Sequence, residues 1–274
     1  MENSPAPPPS VLPKKIAIAC HWLLATLLAV AFGLEMAAFF KPFQFGLQLD
    51  MAFIILATFS TLAALWRKLP LQNVFIAAIG IAAIGGGFSA FGAKIDLPFG
   101  PFVYTSGIGP LMFKTLPWPV PLIWVIVILN SRGVARLILR PWRKTKAYGY
   151  RAIALTAVLV LLFDVAFEPF ASHVKHLWLW LPTALPLTWE GASVVNFISW
   201  MLIAVLILLF VTPAMIVKKP RAKSGPDFHP LCVWLGGLIL FGTGCAVNAN
   251  WPPVIADAVI GAVTAVFAFR GAWW

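Results

Sequence analysis

The chain has 274 residues, of which 61% are hydrophobic and only 11% charged, with a formal net charge of +11 and a mean hydropathy of +0.91. A soluble domain carries about 25% charged residues, so the composition excludes an ordinary soluble protein and points to an all-α, polytopic membrane bundle. The basic excess would suggest nucleic acid in a soluble chain. Here the basic residues lie in short loops beside apolar runs, which is the positive-inside pattern, and no nucleic-acid partner is expected. Cys20, Cys232 and Cys245 sit in or beside apolar segments without CxxC or Cys/His metal spacing, so they read as packing residues.

Residues 1–13 are a Pro-rich tail expected to be disordered, leaving residues 14–274 as a single transmembrane domain. Lys14 and Lys15 precede the run Ile16–Phe40, which is longer than a signal-peptide core and has no clear small-residue cleavage site, so it predicts a first membrane helix. Roughly 20 apolar residues cross a bilayer as helix. Further spans are expected at about Gln48–Trp66, Leu71–Gly92, Val120–Leu139, Ala152–Phe170, Val194–Val217, Leu231–Val247 and Pro253–Phe269. That makes eight, with seven as the alternative, because Asn130, Arg132 and Arg136 occupy the fourth and the eighth is short. No convincing internal repeat of the transporter kind is present.

With the N-terminus inside, the outer segments hold only Lys41, Lys94, Lys114 and Lys175 among the 20 basic residues. This asymmetry predicts that both termini are cytoplasmic. The acids run the other way. Glu35, Asp50, Asp96, Asp164, Glu168, Glu190 and Asp257 lie in outer loops or outer span ends, and only Glu2 and Asp227 on the inner side. Polar chemistry therefore belongs to the outer half of the bundle.

The fifth span concentrates that chemistry. It is apolar from Ala152 to Phe163 but for Thr156, then places Asp164 and Glu168 four residues apart before Pro169, where the helix can stop. Residues at that spacing share one helix face. Acids at membrane depth are costly and tend to face a protein interior or a wet cavity. The alternative is that both lie at the water interface and merely end the helix.

Two outer loops flank this face. Lys94–Pro119 is too apolar for a solvated loop and too rich in Pro and Gly for a helix, so it is expected to fold over the bundle as a re-entrant or interfacial lid. It brings Phe99, Phe102, Tyr104, Phe113 and Trp118, which could equally form an interfacial aromatic belt. Ser172–Val195 brings Trp178, Trp180, Trp189 and Glu190, and leads to Asn196, a candidate either to position water or to cap the sixth helix. His173 and His176 are three apart but lack a third ligand in spacing, and no metal is expected. His21 and His229 stand alone near span ends and read as interfacial. No P-loop, GxSxG, HExxH or dinucleotide fingerprint occurs.

Three passages resemble one family. Pro98-Phe-Gly-Pro-Phe-Val-Tyr-Thr105 runs on to Gly109-Pro110 and Val120-Pro-Leu-Ile-Trp124; Asp164-Val-Ala-Phe-Glu-Pro169 is followed by Trp178-Leu-Trp180; and Gly191 leads to Asn196-Phe-Ile-Ser-Trp200. They are similar to the membrane family of carotenoid biosynthesis proteins that includes the γ-carotene and bisanhydrobacterioruberin hydratases. The resemblance covers roughly residues 88–205. Phe102 replaces a usual Tyr, Glu168 a usual Asp and Ser193 a usual Pro. The family's Glu and Thr-Gly before Pro-Phe-Gly are replaced by Ser89 and Ile95-Asp96, so Asp96 is the candidate to substitute for that acid.

The resemblance implies cofactor-independent addition of water to the terminal double bond of a linear carotenoid end. That reaction needs an acid to protonate the alkene, a surface tolerating a tertiary carbocation, and a positioned water. A carboxylic acid in apolar surroundings keeps its proton more readily than in water. Asp164, deeper in its span, is the better donor, with Glu168 handling the water, although a coupled pair could exchange these roles. Asn196 and Asp96 complete the candidate polar set. Phe99, Phe102, Tyr104, Trp178, Trp180 and Trp200 are candidate substrate contacts, since aromatic faces stabilise cations. The implied partners are a lipophilic carotenoid, the lipid bilayer and other carotenoid pathway enzymes, in a bacterial or archaeal cytoplasmic membrane. Two other readings compete: a proton-coupled carrier using the same acids, and a noncatalytic carotenoid-binding subunit.

Overall fold

The computed structural model describes residues 11–41, 46–183, 187–216 and 225–274. Its long helices are α1 (Val11–Phe40), α2 (Gly46–Trp66), α3 (Leu71–Ile95), α4 (Pro119–Ile138), α5 (Tyr148–Pro169), α6 (Val194–Val211), α7 (His229–Val247) and α8 (Trp251–Ala272). Each forms one of eight helices long and apolar enough to cross a membrane. The protein is an all-α, multi-pass integral membrane bundle. Helix α1 begins at Val11, inside the stretch expected to be tail; the rest of that expectation falls on residues 1–10, outside the described residues. Lys218, Lys219, Arg221 and Lys223 of the charge count also lie outside them.

Helix α4, the one whose polar residues put its span in question, is the centre of the bundle, packing against α2, α3, α5, α7 and α8. One of those residues, Asn130, and its neighbour Ser131 link α4 to other helices. The Asn130 amide donates to Thr61 Oγ1 of α2 at 2.9 Å, and Ser131 Oγ accepts from the Trp234 indole of α7 at 3.2 Å. In a bilayer, lipid is as apolar as the side chains, so helices associate through close packing and such hydrogen bonds rather than hydrophobic expulsion. Gly85 provides the close approach: Trp124 of α4 lies where a β-carbon at Gly85 would sit. Trp124 then stacks on Trp200 of α6 at 3.9 Å and donates to Ser89 Oγ at 2.9 Å.

The helical path of the fifth span does not stop at Pro169. A π-helical turn, Phe170–Val174, carries it onward before the chain becomes extended. Proline removes only its own N–H donor and blocks the turn before it, and a wider turn accommodates both.

Short strands organise the two long loops: β1 (Phe102–Tyr104), β2 (Leu111–Met112), β3 (Leu116–Pro117), β4 (Trp178–Trp180), β5 (Thr188–Trp189) and β6 (Ala192–Ser193). Strand β1 pairs antiparallel with β4, setting Phe102 opposite Trp180 and Tyr104 opposite Trp178. The two loops thus form a single cover. The Thr105 N–H extends the ladder to Leu177 O at 3.1 Å, and the Leu181 N–H reaches Pro101 O at 3.0 Å. Gly100 turns the chain into β1 at φ +101°, a conformation that disfavours any residue with a β-carbon. That requirement accounts for the Gly of Pro98-Phe-Gly.

Candidate active site

Asp164 and Glu168 project from one face of α5 and are 0% and 1% exposed, so both side chains face the protein interior rather than solvent. Asp164 Oδ2 accepts from Asn196 Nδ2 at 2.9 Å. Asn196 is not the cap of α6, because Ser193 is: its hydroxyl accepts from the Val195 N–H. The Asn196 amide is therefore committed to Asp164. Asp164 Oδ1 has no hydrogen-bond partner among the described residues.

Glu168 is held from the loop cover. Its Oε1 accepts from the Trp178 indole N–H at 2.6 Å and from that of Trp180. Alternate residues of a strand point to the same side, so β4 delivers both indoles to one oxygen. Two N–H donors on one oxygen suit an ionised carboxylate, which only accepts. Asp164, with one donor and one open oxygen, can carry a proton on Oδ1.

A cavity of about 40 Å³ lies against Glu168 and Asn196, room for a water molecule or two. Its walls include all six aromatic side chains selected from the sequence: Phe99, Phe102, Tyr104, Trp178, Trp180 and Trp200. Ser89, Val120 and Ile123 complete it. Edge-on ring contacts, Phe102 on Tyr104 at 5.1 Å and Tyr104 on Trp178 at 6.3 Å, lock the aromatic wall. Burial raises the Tyr104 phenol pKa, an effect opposed by the Ser89 hydroxyl and reinforced by the Glu168 charge. Tyr104 thus remains a neutral hydroxyl. Ser199 fastens the Pro98-Phe-Gly turn over this wall by donating to Pro98 O at 2.8 Å.

Asp96 does not join the site. It is the left-handed residue ending α3, is exposed, and is absent from the cavity wall. Nor do the loop histidines converge. The His173 ring bonds Glu190 O and the His176 ring bonds Ser172 O, each at 2.9 Å. No group of three or more potential metal ligands occurs among the described residues. His21 is buried rather than interfacial, its ring 4.8 Å edge-on from that of His229.

Sequence reasoning missed a second polar centre. Glu35 of α1 and Asp50 of α2 both accept from Lys175, which follows the π-helical turn; the Glu35 contact is 2.9 Å. Burial opposes the Lys175 charge, but Asp50 and Glu35 outweigh it and raise its pKa. These three residues lie in the wall of an otherwise almost entirely apolar cavity of about 560 Å³ between α1, α2, α4, α5 and α7. Ile123 lines both cavities. Phe167 of the large one packs on Trp178 of the small one at 5.6 Å, so only side chains separate the two. The signal was present in Glu35 standing several residues inside its span, but its partners come from segments far apart in sequence.

A family model described as carotenoid biosynthesis protein matches residues 49–264. The chain is also similar to a bisanhydrobacterioruberin hydratase of Haloarcula japonica, 25% identical over 201 residues. That alignment covers 68% of this chain and 61% of the relative, so the chain spans about three-fifths of the length of the curated relative it matches. No solved structure matches it.

Proposed function

The chain belongs to the carotenoid biosynthesis protein family, and on that premise we propose that it adds water across the terminal double bond of a linear carotenoid end, giving a tertiary alcohol. The observation that carries this reading is the buried pair: Asp164 with an open oxygen, bonded to Asn196, and Glu168 held as an acceptor by two indoles, with Asn196 and Glu168 in the wall of an aromatic cavity of water size. Asp164 Oδ1 gives its proton to the inner, less substituted carbon of the terminal double bond, and the π electrons form the new C–H bond. The tertiary cation left behind faces the rings of Trp178, Trp180 and Tyr104, each worth roughly 0.5–2 kcal/mol to a cation. Water attacks the cation, and the proton it loses passes to Glu168. Transfer of a proton from Glu168 to Asp164 restores the starting state, so the cycle consumes only the alkene and water.

Asn196 is a positioning residue in this scheme, turning the open Asp164 oxygen away from its own amide. The carotenoid enters from the bilayer, and its apolar body is accommodated by the large cavity beyond Ile123 and Phe167. The charge asymmetry supports both termini being cytoplasmic; reporter fusions at either end that are active only outside would contradict that orientation. The reaction is tested by producing the chain in cells that accumulate lycopene or γ-carotene and analysing the pigments by mass spectrometry. The expected outcome is a product heavier by one water, absent with Asp164→Asn. Unchanged pigments across several acyclic carotenoids, with the protein present in the membrane, would contradict the reading.

A further inference from the structure

The large cavity has the form of a slot. Along α7 its wall runs from His229 to Phe241, about 18 Å at the rise of an α-helix. Ala29 of α1 and Ile239 of α7 belong to its wall yet are exposed, so it opens sideways between α1 and α7, toward the lipid-facing surface. Its lining is apolar except at the ends, and the outer end is closed by Glu35, Asp50 and Lys175.

Glu35 is the unusual member of that end. It is 1% exposed, its Oε2 is taken by Lys175, and its Oε1 is buried without a hydrogen-bond partner among the described residues. A buried acceptor left unpaired costs free energy that a bound donor restores. An all-hydrocarbon occupant cannot supply one. We propose that the slot is a binding site for an elongated isoprenoid alcohol, its apolar chain lying along α7 and its hydroxyl donating to Glu35 Oε1. Lys175 holds Glu35 in place, and Asp50 in turn holds Lys175. The natural ligand, a hydroxylated polyene such as the hydration product, rests on the function proposed above; the binding itself does not.

The test uses the full-length protein in lipid nanodiscs with all-trans-retinol, a fluorescent linear isoprenoid alcohol, followed by energy transfer from tryptophan. Retinyl methyl ether, which has the same chain but no O–H donor, is the comparison. Retinol is expected to bind saturably and about tenfold more tightly than the ether, the effect of one hydrogen bond. Glu35→Gln turns its carbonyl to Lys175 and leaves an amide N–H toward the slot, so it should erase the preference while keeping ether affinity. Gly236→Leu should abolish binding of both, because a side chain there meets nothing nearer than Phe32 at 3.9 Å and projects into the slot. Asp164→Asn should keep the retinol preference even though it abolishes hydration, which separates failure of this site from failure of the proposed reaction. Equal affinity for alcohol and ether in the unaltered protein, an absence of saturable binding, or a preference surviving Glu35→Gln would each overturn the proposal.

Discussion

The Trp178 indole donates to Glu168 Oε1 at 2.6 Å, so a carboxylate at the end of a membrane helix is held by a strand of the loop that covers it. The cover is therefore part of the acid centre. Trp178→Phe keeps an aromatic ring at this position but removes the donor. A hydrogen bond to a charged group is worth about 1.5–3 kcal/mol, so hydrated product should fall by about one to two orders of magnitude. Pigment analysis at matched protein levels checks this, and an unaltered yield would detach Trp178 from the reaction.

Asn196 offers a finer test because its amide N–H bonds Asp164 Oδ2. Asn196→Asp replaces the N–H donor with a second carboxyl beside Asp164 and should abolish product. Asn196→Gln, which retains a donor at the wrong reach, should retain a fraction. If both variants hydrate normally, Asp164 does not depend on Asn196 for its orientation.

Lys175 is the only cation at the second polar centre among the described residues, facing two carboxylates. Removing one partner of a buried ionic group typically costs about 3–5 kcal/mol. Lys175→Met should therefore lower the unfolding temperature in detergent by several degrees, and adding Glu35→Gln should recover part of the loss. Equal unfolding temperatures for the unaltered protein and Lys175→Met would show that the cluster does not hold α1 and α2 to the end of α5.

At the opposite end, Asp227 receives Lys68 and Arg67, which tie the α2–α3 turn to the chain before α7. Burial opposes ionisation of Asp227, but Lys68 and then Arg67 outweigh it and hold its pKa below the usual carboxylate value. The stabilisation is then fully present above about pH 4 and is lost as pH falls through the depressed value. Asp227→Asn should destabilise the protein by about 1 kcal/mol at neutral pH, with the difference vanishing in acid. A difference that persists unchanged at low pH would assign the effect to packing.

The eight helices were legible because bilayer thickness demands long apolar runs, and no local choice overrides that requirement. Their ends shifted by a few residues where tertiary contacts took over, as at Pro169, where a π-helical turn continues the path. Asp164, Glu168 and the six aromatic residues were legible from helix spacing and family motifs, and the structure gathers the aromatics around Glu168. Their mode of assembly was not legible, since the pairing of Tyr104 with Trp178 joins loops over 70 residues apart. Asp96 was misplaced for the opposite reason: nearness in sequence to Pro98-Phe-Gly says nothing about the side chain, and the left-handed end of α3 leaves it exposed. Glu35 stood out by its depth in the first span, but its cluster was not legible because Asp50 and Lys175 come from two other segments.

Hydration by Asp164 and Glu168 requires that the oxygen of the product alcohol come from water. Purified protein in nanodiscs loaded with lycopene or γ-carotene, incubated in heavy-oxygen water without any added redox cofactor, tests it most directly. The account predicts an alcohol carrying the heavy oxygen, formed by the unaltered chain and not by Asp164→Asn. An alcohol whose oxygen is unlabelled, or labelled product formed equally by Asp164→Asn, would contradict it.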